Sequence, residues 1–459
     1  MQTLQRRPAP AKHGHSAKRP SLSAKWRSLP ANWYRLPVAV LLAVVAGTVS
    51  YSLIPSAAIA PVAERLSPQV FAASALGNLL GQGQVSSVGT LPAPLVTATA
   101  KASTATHAPK PKHSAHPTSS AVGGTTLADA AGLGFYDGNS SPAGIETAAS
   151  WLGSASSVKY AQDFVDATDW SHIDDPWQLS NWEGSPYQMV WGVPMLPCGA
   201  PATQCATNVA DYNLVATGGA DGYYETLAQN LVAAGFGSSY IRLGWEFNAD
   251  WMGWGICNED GSGLASWASD FVPAFQNIVT SMRSVAGANF KFIWNPIDSS
   301  NSSCPGASLE DFYPGDSYVD VVSLDAYDAI GATTTDQDRW TDLLNGVNAG
   351  GWTAVAPAAV NGQAFPGYGL SWLAAFGQEH GKQIGLPEWG LVDTGTDGGG
   401  GDDAYYMTQM ADWIKANASG PVIFWNYGGG TLTLDIPNYT NGATPNATAA
   451  FQSAFSAGI

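Results

Sequence analysis

Eight short apolar runs recur between about residue 126 and the carboxyl terminus, and each has the length of a β-strand. They span residues 133–136, 159–165, 187–196, 240–247, 290–294, 319–326, 383–388 and 422–425. Longer segments with a helical spacing of apolar residues lie between several of them, most clearly at 223–234, 264–285, 370–380 and 403–416. Gly235 and Gly381 follow two of these segments and are predicted to end the helices.

This alternation of eight strands with helices predicts a (β/α)8 barrel over residues 126–459. A doubly wound open sheet would rarely need as many strands. In a barrel of this kind, catalytic residues lie at the carboxyl ends of the strands. Functional side chains are therefore to be sought where the apolar runs end.

Residues 36–54 carry no charge over a length just sufficient to cross a bilayer. Eight basic residues and no acid precede them, with aromatic residues near the boundary, which predicts that residues 1–35 are cytoplasmic and that the body lies outside the membrane. A signal peptide cleaved near residue 58 is the alternative, although Pro61 disfavours cleavage after Ala60. The predicted location is the cell membrane, single-pass, with an extracytoplasmic body, or secreted if cleavage occurs.

Residues 55–125 are rich in Ala, Ser, Thr, Pro and Gly and predict a disordered tether, in which His107, His113 and His116 are solvated. The body beyond it contains 7 basic and 35 acidic residues, counted from about residue 126. Such a charge would repel nucleic acid and anionic membranes. A neutral polysaccharide would not be repelled, and the 18 Trp and 17 Tyr of the chain offer flat faces for sugar rings.

Four cysteines, all in the body, predict two disulfides in an exported protein. Three pairings are possible, and we favour Cys198 with Cys205 and Cys257 with Cys304. A metal site is the weaker interpretation because the cysteines form no paired CxxC motif and lie beside no histidine cluster.

Two glutamates, Glu246 and Glu388, lie 142 residues apart at the ends of the fourth and seventh runs. Burying carboxylates is costly, so two of them in matching places suggest a reaction that needs an acid and a nucleophile, such as glycoside hydrolysis. Trp245 and Phe247 would hold a proton on Glu246, and Arg242 would keep Glu388 ionised. An ion pair or a charge at the barrel rim is the alternative for either glutamate.

The segment Ile-Arg-Leu-Gly-Trp-Glu-Phe-Asn-Ala-Asp-Trp-Met-Gly-Trp resembles the fourth-strand motif of glycoside hydrolase family 26, a family of retaining barrels that includes β-mannanases. The matching positions are Arg242, Glu246, Asn248, Trp251 and Trp254. Phe-Ile-Trp-Asn-Pro, Val-Ser-Leu-Asp-Ala-Tyr-Asp and Pro-Glu-Trp-Gly are similar to motifs of the family's fifth, sixth and seventh strands. The resemblance covers residues from about 130 to 455.

The resemblance implies that Glu246 is the acid/base and Glu388 the nucleophile, and that Arg242, Trp245 and Asn248 bind substrate. It further implies that Tyr327 orients Glu388 and that Trp425 forms the floor beneath the reacting sugar. Packing is the alternative for Tyr327 and for Trp425.

The tryptophans of the loop after Glu246, Trp251 and Trp254, are predicted to stack on sugars in flanking subsites. The alternative is that a loop fixed by Cys257 uses one of them as its own small core.

One departure concerns the residue before the acid/base, where the family usually has His and this chain has Trp245. An indole at this position removes a hydrogen-bonding group and adds a stacking face. An endo-acting, β-mannanase-like enzyme that needs no cofactor and acts as a monomer is predicted. The alternatives are another β-glycan such as a glucan or xylan, the producer's own exopolysaccharide, or a glycan-binding barrel without catalysis.

Four aspartates stand near predicted strand ends, and His172 is considered with them. Asp137 and Asp166 either bind sugar hydroxyls or belong to turns. Of Asp325 and Asp328, at least one is expected to point to the cleft, because side chains alternate along a strand. His172 is interpreted as structural because no second metal ligand lies near it in the sequence.

Overall fold

The computed structural model describes residues 131–153, 157–197, 209–258, 262–299, 307–329, 335–347, 356–394, 398–428, 431–437 and 444–459. The predicted cytoplasmic segment, membrane segment and tether lie outside these ranges, as do Cys198, Cys205 and Cys304. Within these ranges no helix is long and apolar enough to span a bilayer.

Eight parallel strands close into a barrel, which confirms the predicted (β/α)8 fold. Each strand pairs with the next, and β1 pairs with β8 from Gly132 opposite Pro421 to Tyr136 opposite Trp425, so the ring has no open edge. A short ninth strand pairs antiparallel with the end of β7. The strands are β1 Gly132–Tyr136, β2 Val158–Phe164, β3 Gln188–Val193, β4 Tyr240–Leu243, β5 Lys291–Trp294, β6 Val321–Tyr327, β7 Gln383–Val392, β8 Pro421–Trp425 and β9 Thr431–Leu432.

Helices cover the outside of the ring between the strands. Within the described residues they are α1 Pro142–Trp151, α2 Trp170–Asp174, α3 Leu179–Trp182, α4 Val209–Ala216, α5 Asp221–Ala233, α6 Phe271–Ser284, α7 Asp336–Asn345, α8 Leu370–His380, α9 Ala404–Asn417 and α10 Pro445–Phe455. Gly381 ends α8 in the left-handed conformation (φ 61°), as the sequence predicted.

The predicted helix over residues 264–285 begins too early. The α-helix starts only at Phe271, because Leu264 forms a β-bridge with Cys257 and the indole of Trp267 donates to the carbonyl of Gly255 (2.9 Å). These contacts tie residues 264–267 to the loop after β4. The loop that carries Trp251 is thereby attached to the body of the barrel.

Side chains from seven strands fill the ring itself. Tyr160 of β2 and Tyr240 of β4 meet edge to face although their strands are not neighbours (centroids 5.6 Å apart). A larger apolar layer packs between the ring and its helices. The barrel interior is thus a filled core, and a cleft can exist only at its ends.

Candidate active site

The chain leaves β4 through a turn that aims Glu246 at the barrel axis. The strand ends at Leu243, not at residue 247 as the apolar run predicted, since Gly244 (φ 56°) and Glu246 (φ 49°) both adopt left-handed backbone. This conformation costs a residue other than glycine about 1–3 kcal/mol. It is held by a bond from the Glu246 N–H to the carbonyl of Asn295 (2.8 Å). Such local strain is typical of functional positions.

Arg242 lies on β4, shortly before Glu246, and its guanidinium connects the polar side chains of the site. Its fully buried guanidinium donates to Glu388 Oε1, Asp325 Oδ2 and Asn295 Oδ1. Asn295 in turn donates to Asp325 Oδ1 (3.2 Å). One cation therefore joins side chains that follow or lie on four consecutive strands, β4 to β7.

Glu388 lies on β7 and is 3% exposed. Arg242 binds its Oε1, and the hydroxyl of Tyr327 donates to its Oε2 (2.7 Å). These two donors fix the orientation of the carboxylate. Glu388 is thus held in place by a cation and a hydroxyl, as a carboxylate nucleophile needs to be.

Glu246 has a different environment. Its Oε2 accepts a bond from the indole of Trp251 (3.0 Å), whereas no donor among the described residues reaches its buried Oε1. Burial, and then the charge of Glu388, raise the pKa of Glu246 to about 7. The group therefore keeps a proton near neutral pH, as a general acid must.

The carboxyl groups of Glu246, Asp325 and Glu388 converge, each with an oxygen within 4.8 Å of the others. Burial raises the pKa of Asp325 well above its ordinary value, against the opposing effect of Arg242. Three carboxyls could in number ligate a cation, but the guanidinium already provides the positive charge here. Glu388 and Asp325 are both held by Arg242, and Glu246 lies beside them as the carboxyl that no cation among the described residues binds directly.

An aromatic surface adjoins these carboxyls. Trp425, at the end of β8, stacks on Tyr136 at the end of β1 (4.1 Å), and Phe164 at the end of β2 meets Tyr136 edge to face. Trp245 packs against Phe164 (4.9 Å). Tyr427, half exposed, continues the surface beyond Trp425. Sugar rings bind well to such faces because their C–H groups are apolar.

The sequence singled out Trp425 and Trp245 but missed Tyr136, Phe164 and Asn295. The signal that would have found them was available, because Tyr136 and Phe164 end their strands and Asn295 directly follows β5. Burial, and then the charges of Asp163 and Glu388, raise the pKa of the Tyr136 hydroxyl.

The tryptophans of the loop after β4 have unlike positions. Trp251 is partly exposed and bonds Glu246. Trp254 is 4% exposed, packs on Trp245 (4.3 Å) and donates to the Trp245 carbonyl (2.7 Å). The stacking face predicted for Trp254 is therefore covered by protein, and this residue forms the small core of its own loop.

Asn248 was predicted to bind substrate, but its buried amide faces the protein. It donates to the carbonyl of Ile297 and accepts from the N–H of the same residue, both at 2.9 Å. These two bonds join the loop after β4 to the loop after β5. Asn248 thus fixes the position of the loop that carries Trp251 and does not itself face the cleft.

Of the other polar residues near strand ends, Asp325 joins the site, as side-chain alternation suggested. Asp137 is buried and accepts bonds from Ser141 and Asn426, while Asp166 belongs to an exposed turn with Thr168.

Asp328 points away from the cleft to Arg339 (2.8 Å). His172 pairs with Asp169 at the start of α2, which agrees with a structural role. Cys257 is disulfide-bonded. The pairing of the four cysteines stays a prediction, because Cys198, Cys205 and Cys304 lie outside the described residues.

The sequence matches the model of the family described as "Glycosyl hydrolase family 26" over residues 115–366, more than half of the chain. It is also 33% identical over 132 residues to Endoglucanase H of Acetivibrio thermocellus. That match covers 28% of this chain and only 14% of the longer relative.

Solved structures with a similar fold include a family 26 protein of Muricauda sp., with 15% identity, a TM-score of 0.48 and coverage of 71% of this chain and 87% of that one. A modular endo-β-1,4-mannanase of Cellulomonas fimi matches with 16% identity, a TM-score of 0.46 and coverage of 72% and 73%.

Proposed function

This chain belongs to glycosyl hydrolase family 26, and we propose from that premise that it hydrolyses a β-linked polysaccharide internally, with net retention of anomeric configuration. The supporting observation is the pair of unlike carboxyls. Oxygens of Glu246 and Glu388 lie within 4.8 Å of each other. Retaining glycosidases place their two carboxyls about 5–5.5 Å apart, whereas inverting enzymes need about 6.5–9.5 Å to admit a water.

In the first step, the Glu388 carboxylate attacks the anomeric carbon, and the bond from that carbon to the leaving oxygen breaks. Glu246 gives its proton to the leaving oxygen, so the released chain departs as a neutral alcohol. The product is a glycosyl ester of Glu388. Arg242 and the Tyr327 hydroxyl hold Glu388 in line for this attack.

In the second step, Glu246 is a carboxylate and removes a proton from water as the water oxygen attacks the anomeric carbon. The ester bond to Glu388 breaks, and the carboxylate is restored. Two displacements at one carbon return the original configuration. Trp425 would support the sugar ring from below during both steps, with the buried ring of Tyr136 stacked against it.

The test is Glu388→Ala with added azide. The variant is expected to lose turnover by roughly 10⁴-fold or more, because the nucleophile is absent. Azide is expected to restore turnover and to yield a glycosyl azide of inverted configuration, identified by NMR. Wild-type activity in Glu388→Ala, or a wild-type product of inverted configuration, would overturn the proposal.

For the substrate, we propose a β-mannan or a β-1,4-glucan. The resemblance to the β-mannanase family favours the former. The name of Endoglucanase H and the indole of Trp245, in place of the usual histidine, favour the latter. A panel of mannan, β-glucan, xylan and bacterial exopolysaccharides, with the products sized, distinguishes them. Oligosaccharides early in the reaction indicate endo action, and release of one short product alone contradicts it.

We further propose that the catalytic body acts as a monomer outside the cell, tethered through residues 36–54. The support is the uncharged segment after a basic head and the acidic, cysteine-containing body. The full-length protein is expected in the membrane fraction, with its body digested by protease added to intact cells. A protein found in the medium that begins near residue 58 would show cleavage instead.

A further inference from the structure

A second buried arginine lies outside the cleft. Arg339, in the first turn of α7, is 5% exposed. Its Nε donates to Asp328 Oδ1 (2.8 Å), and its Nη2 donates to Asp403 Oδ2 (2.7 Å) and to Asp336 Oδ1 (2.6 Å). Asp328 directly follows β6, and Asp403 caps α9, so this guanidinium connects the end of a barrel strand to two helices.

The contacts of Asp328 bear on the proposed nucleophile. Asp328 is the residue after Tyr327, whose hydroxyl donates to Glu388. The Asp328 N–H also donates to the carbonyl of Gly390 (3.1 Å), two residues after Glu388 on β7. Fixing Asp328 therefore fixes the backbone from which the Tyr327 side chain extends.

The residue before Tyr327 is held in the same way. The hydroxyl of Tyr406, in the first turn of α9, donates to the carbonyl of Ala326 (2.8 Å). The Tyr406 N–H donates to Asp403, which Arg339 also binds. Both chain neighbours of Tyr327 are thus connected to the guanidinium of Arg339.

On the basis of the proposed retaining hydrolysis, we propose that Arg339 is a positioning residue for the reaction, which holds the Tyr327 hydroxyl against Glu388 through Asp328. A hydrogen bond of 2.7 Å tolerates little displacement of its donor, and losses of alignment near 1 Å can cost large factors in rate. Arginine carries its donors in a rigid planar fork, which lysine lacks, and three carboxylates bind that fork here.

The space around the guanidinium agrees with this role. Gly400 passes so close that a Cβ there would overlap Asp328 Oδ2 and Arg339 Nη2. Burial, opposed by Arg339 and reinforced by Asp403, raises the pKa of Asp328 to about 7. The charged and titratable groups facing Asp328 are Arg339, Asp403 and, more weakly, Tyr406.

The opposite end of β6 offers a matched control. Arg283 donates to Asp320 Oδ2 (2.8 Å) and to the carbonyl of Ser317 (2.6 Å), and Asp320 immediately precedes β6. This arginine anchors the same strand at the amino end, far from the carboxyls of the site. Arg283→Met is therefore expected to affect stability without affecting Tyr327.

The first experiment needs no substrate. The protein is labelled with ¹³C at the tyrosine ring carbon bearing the hydroxyl, and the Tyr327 resonance is assigned by its loss in Tyr327→Phe. Glu388→Ala gives the resonance position without the carboxylate partner. In Arg339→Met and Arg339→Lys the resonance is expected to move toward that position, while in Arg283→Met it stays at the wild-type position. An unmoved resonance in folded Arg339 variants would overturn the proposal.

The second experiment is kinetic and uses whichever polysaccharide of the panel the wild type hydrolyses. Arg339→Met is expected to lower kcat/KM about tenfold, the scale of one lost bond to a charged group. Added to Tyr327→Phe, it is expected to have no further effect, because both changes remove the same interaction. Additive losses would overturn the proposal.

If Arg339→Met does not fold, Gly400→Ala is used instead, because it perturbs the same cluster from a neighbouring loop. It is expected to move the Tyr327 resonance. An unmoved resonance in folded Gly400→Ala would contradict the role of the cluster. A wild type that hydrolyses no glycan would count against the proposed function, while the resonance would still decide the role of Arg339.

Discussion

Two arginine-centred carboxyl clusters in this barrel are built alike and have different consequences. Each places one arginine among three carboxyl groups. In each, burial is the main cause that raises the pKa of one acid to about 7, Glu246 in the first and Asp328 in the second, and in the first the pKa of Asp325 is raised as well. Glu246 and Asp328 each have a buried oxygen that no donor among the described residues reaches. The Arg242 cluster comprises Arg242, Glu246, Asp325 and Glu388, and the Arg339 cluster comprises Arg339, Asp328, Asp336 and Asp403.

The difference lies in what surrounds the proton-holding acid. Glu246 has the Glu388 carboxyl within 4.8 Å and a partly exposed tryptophan at its other oxygen. Asp328 faces Arg339 and Asp403, a helix cap, and Gly400 closes the space beside it. A perturbed pKa therefore does not by itself identify a catalytic group. What distinguishes the Arg242 cluster is that its two glutamates adjoin an aromatic surface and a partly exposed tryptophan, whereas Gly400 packs against the Arg339 cluster.

The largest expected effect on activity comes from replacing the acid of each cluster by its amide, which compares Glu246 with Asp328. Glu246→Gln is expected to lower turnover of polysaccharide by roughly 10²–10⁴-fold, the contribution of a general acid. Aryl glycosides with activated leaving groups are expected to lose far less, because their departure needs no proton. Asp328→Asn, the matched comparison, still offers an oxygen to Arg339, so it is expected to lower both rates by at most about tenfold, and by the same factor on the two substrates, because it acts only through Tyr327. Rates on the two substrate types, measured for both variants, check this.

Equal losses on both substrates in Glu246→Gln would contradict the assignment of Glu246 as the proton donor. A loss in Asp328→Asn as large as that in Glu246→Gln, and equally dependent on the leaving group, would remove the distinction between the clusters.

Asp328→Asn also has an intermediate effect, on stability. The pKa of Asp328 is raised in the folded protein, so the folded state binds its proton more tightly than the unfolded state. The stability that Asp328 gains from this tighter proton binding is present in full below the unfolded pKa of about 3.9. It is lost as pH rises through about 7. An asparagine cannot ionise, so the melting temperature of the variant relative to wild type is expected to rise between about pH 4 and 7 and then level off. A difference that is flat across this range would contradict the shift.

The sequence predicted the barrel and the paired glutamates for physical reasons that are local. Apolar runs mark buried strands, and a carboxyl at the end of such a run is costly unless it is used or paired. Glu246, Glu388 and Arg242 all lie on or beside their strands. Counting the strands was therefore enough to predict that they lie at the same end of the ring.

Residues on the loops could not be placed in this way. Trp251 and Trp254 look alike in sequence, yet one bonds the acid and the other is covered, because the difference depends on how the loop folds over Trp245. Asn248 likewise turned to a neighbouring loop. The Arg339 cluster was not anticipated, since its members come from three separate segments, the end of β6, the start of α7 and the start of α9.

The smallest expected effect concerns the Trp251 bond to Glu246 Oε2 (3.0 Å). This bond favours the charged form of Glu246 and so opposes the effect of burial on its pKa. Trp251→Phe keeps an aromatic ring but removes the donor, so the pKa of Glu246 is expected to rise. Because the first step needs Glu246 protonated, the alkaline limb of kcat/KM against pH is expected to move to higher pH by a fraction of a unit. Trp254→Phe, which changes a bond to a backbone carbonyl, serves as the control and is expected to leave that limb in place. If the alkaline limb of the Trp251→Phe profile moved to lower pH instead, the indole would stabilise the protonated form of Glu246. The assignment of this bond as one that favours the carboxylate would then be wrong.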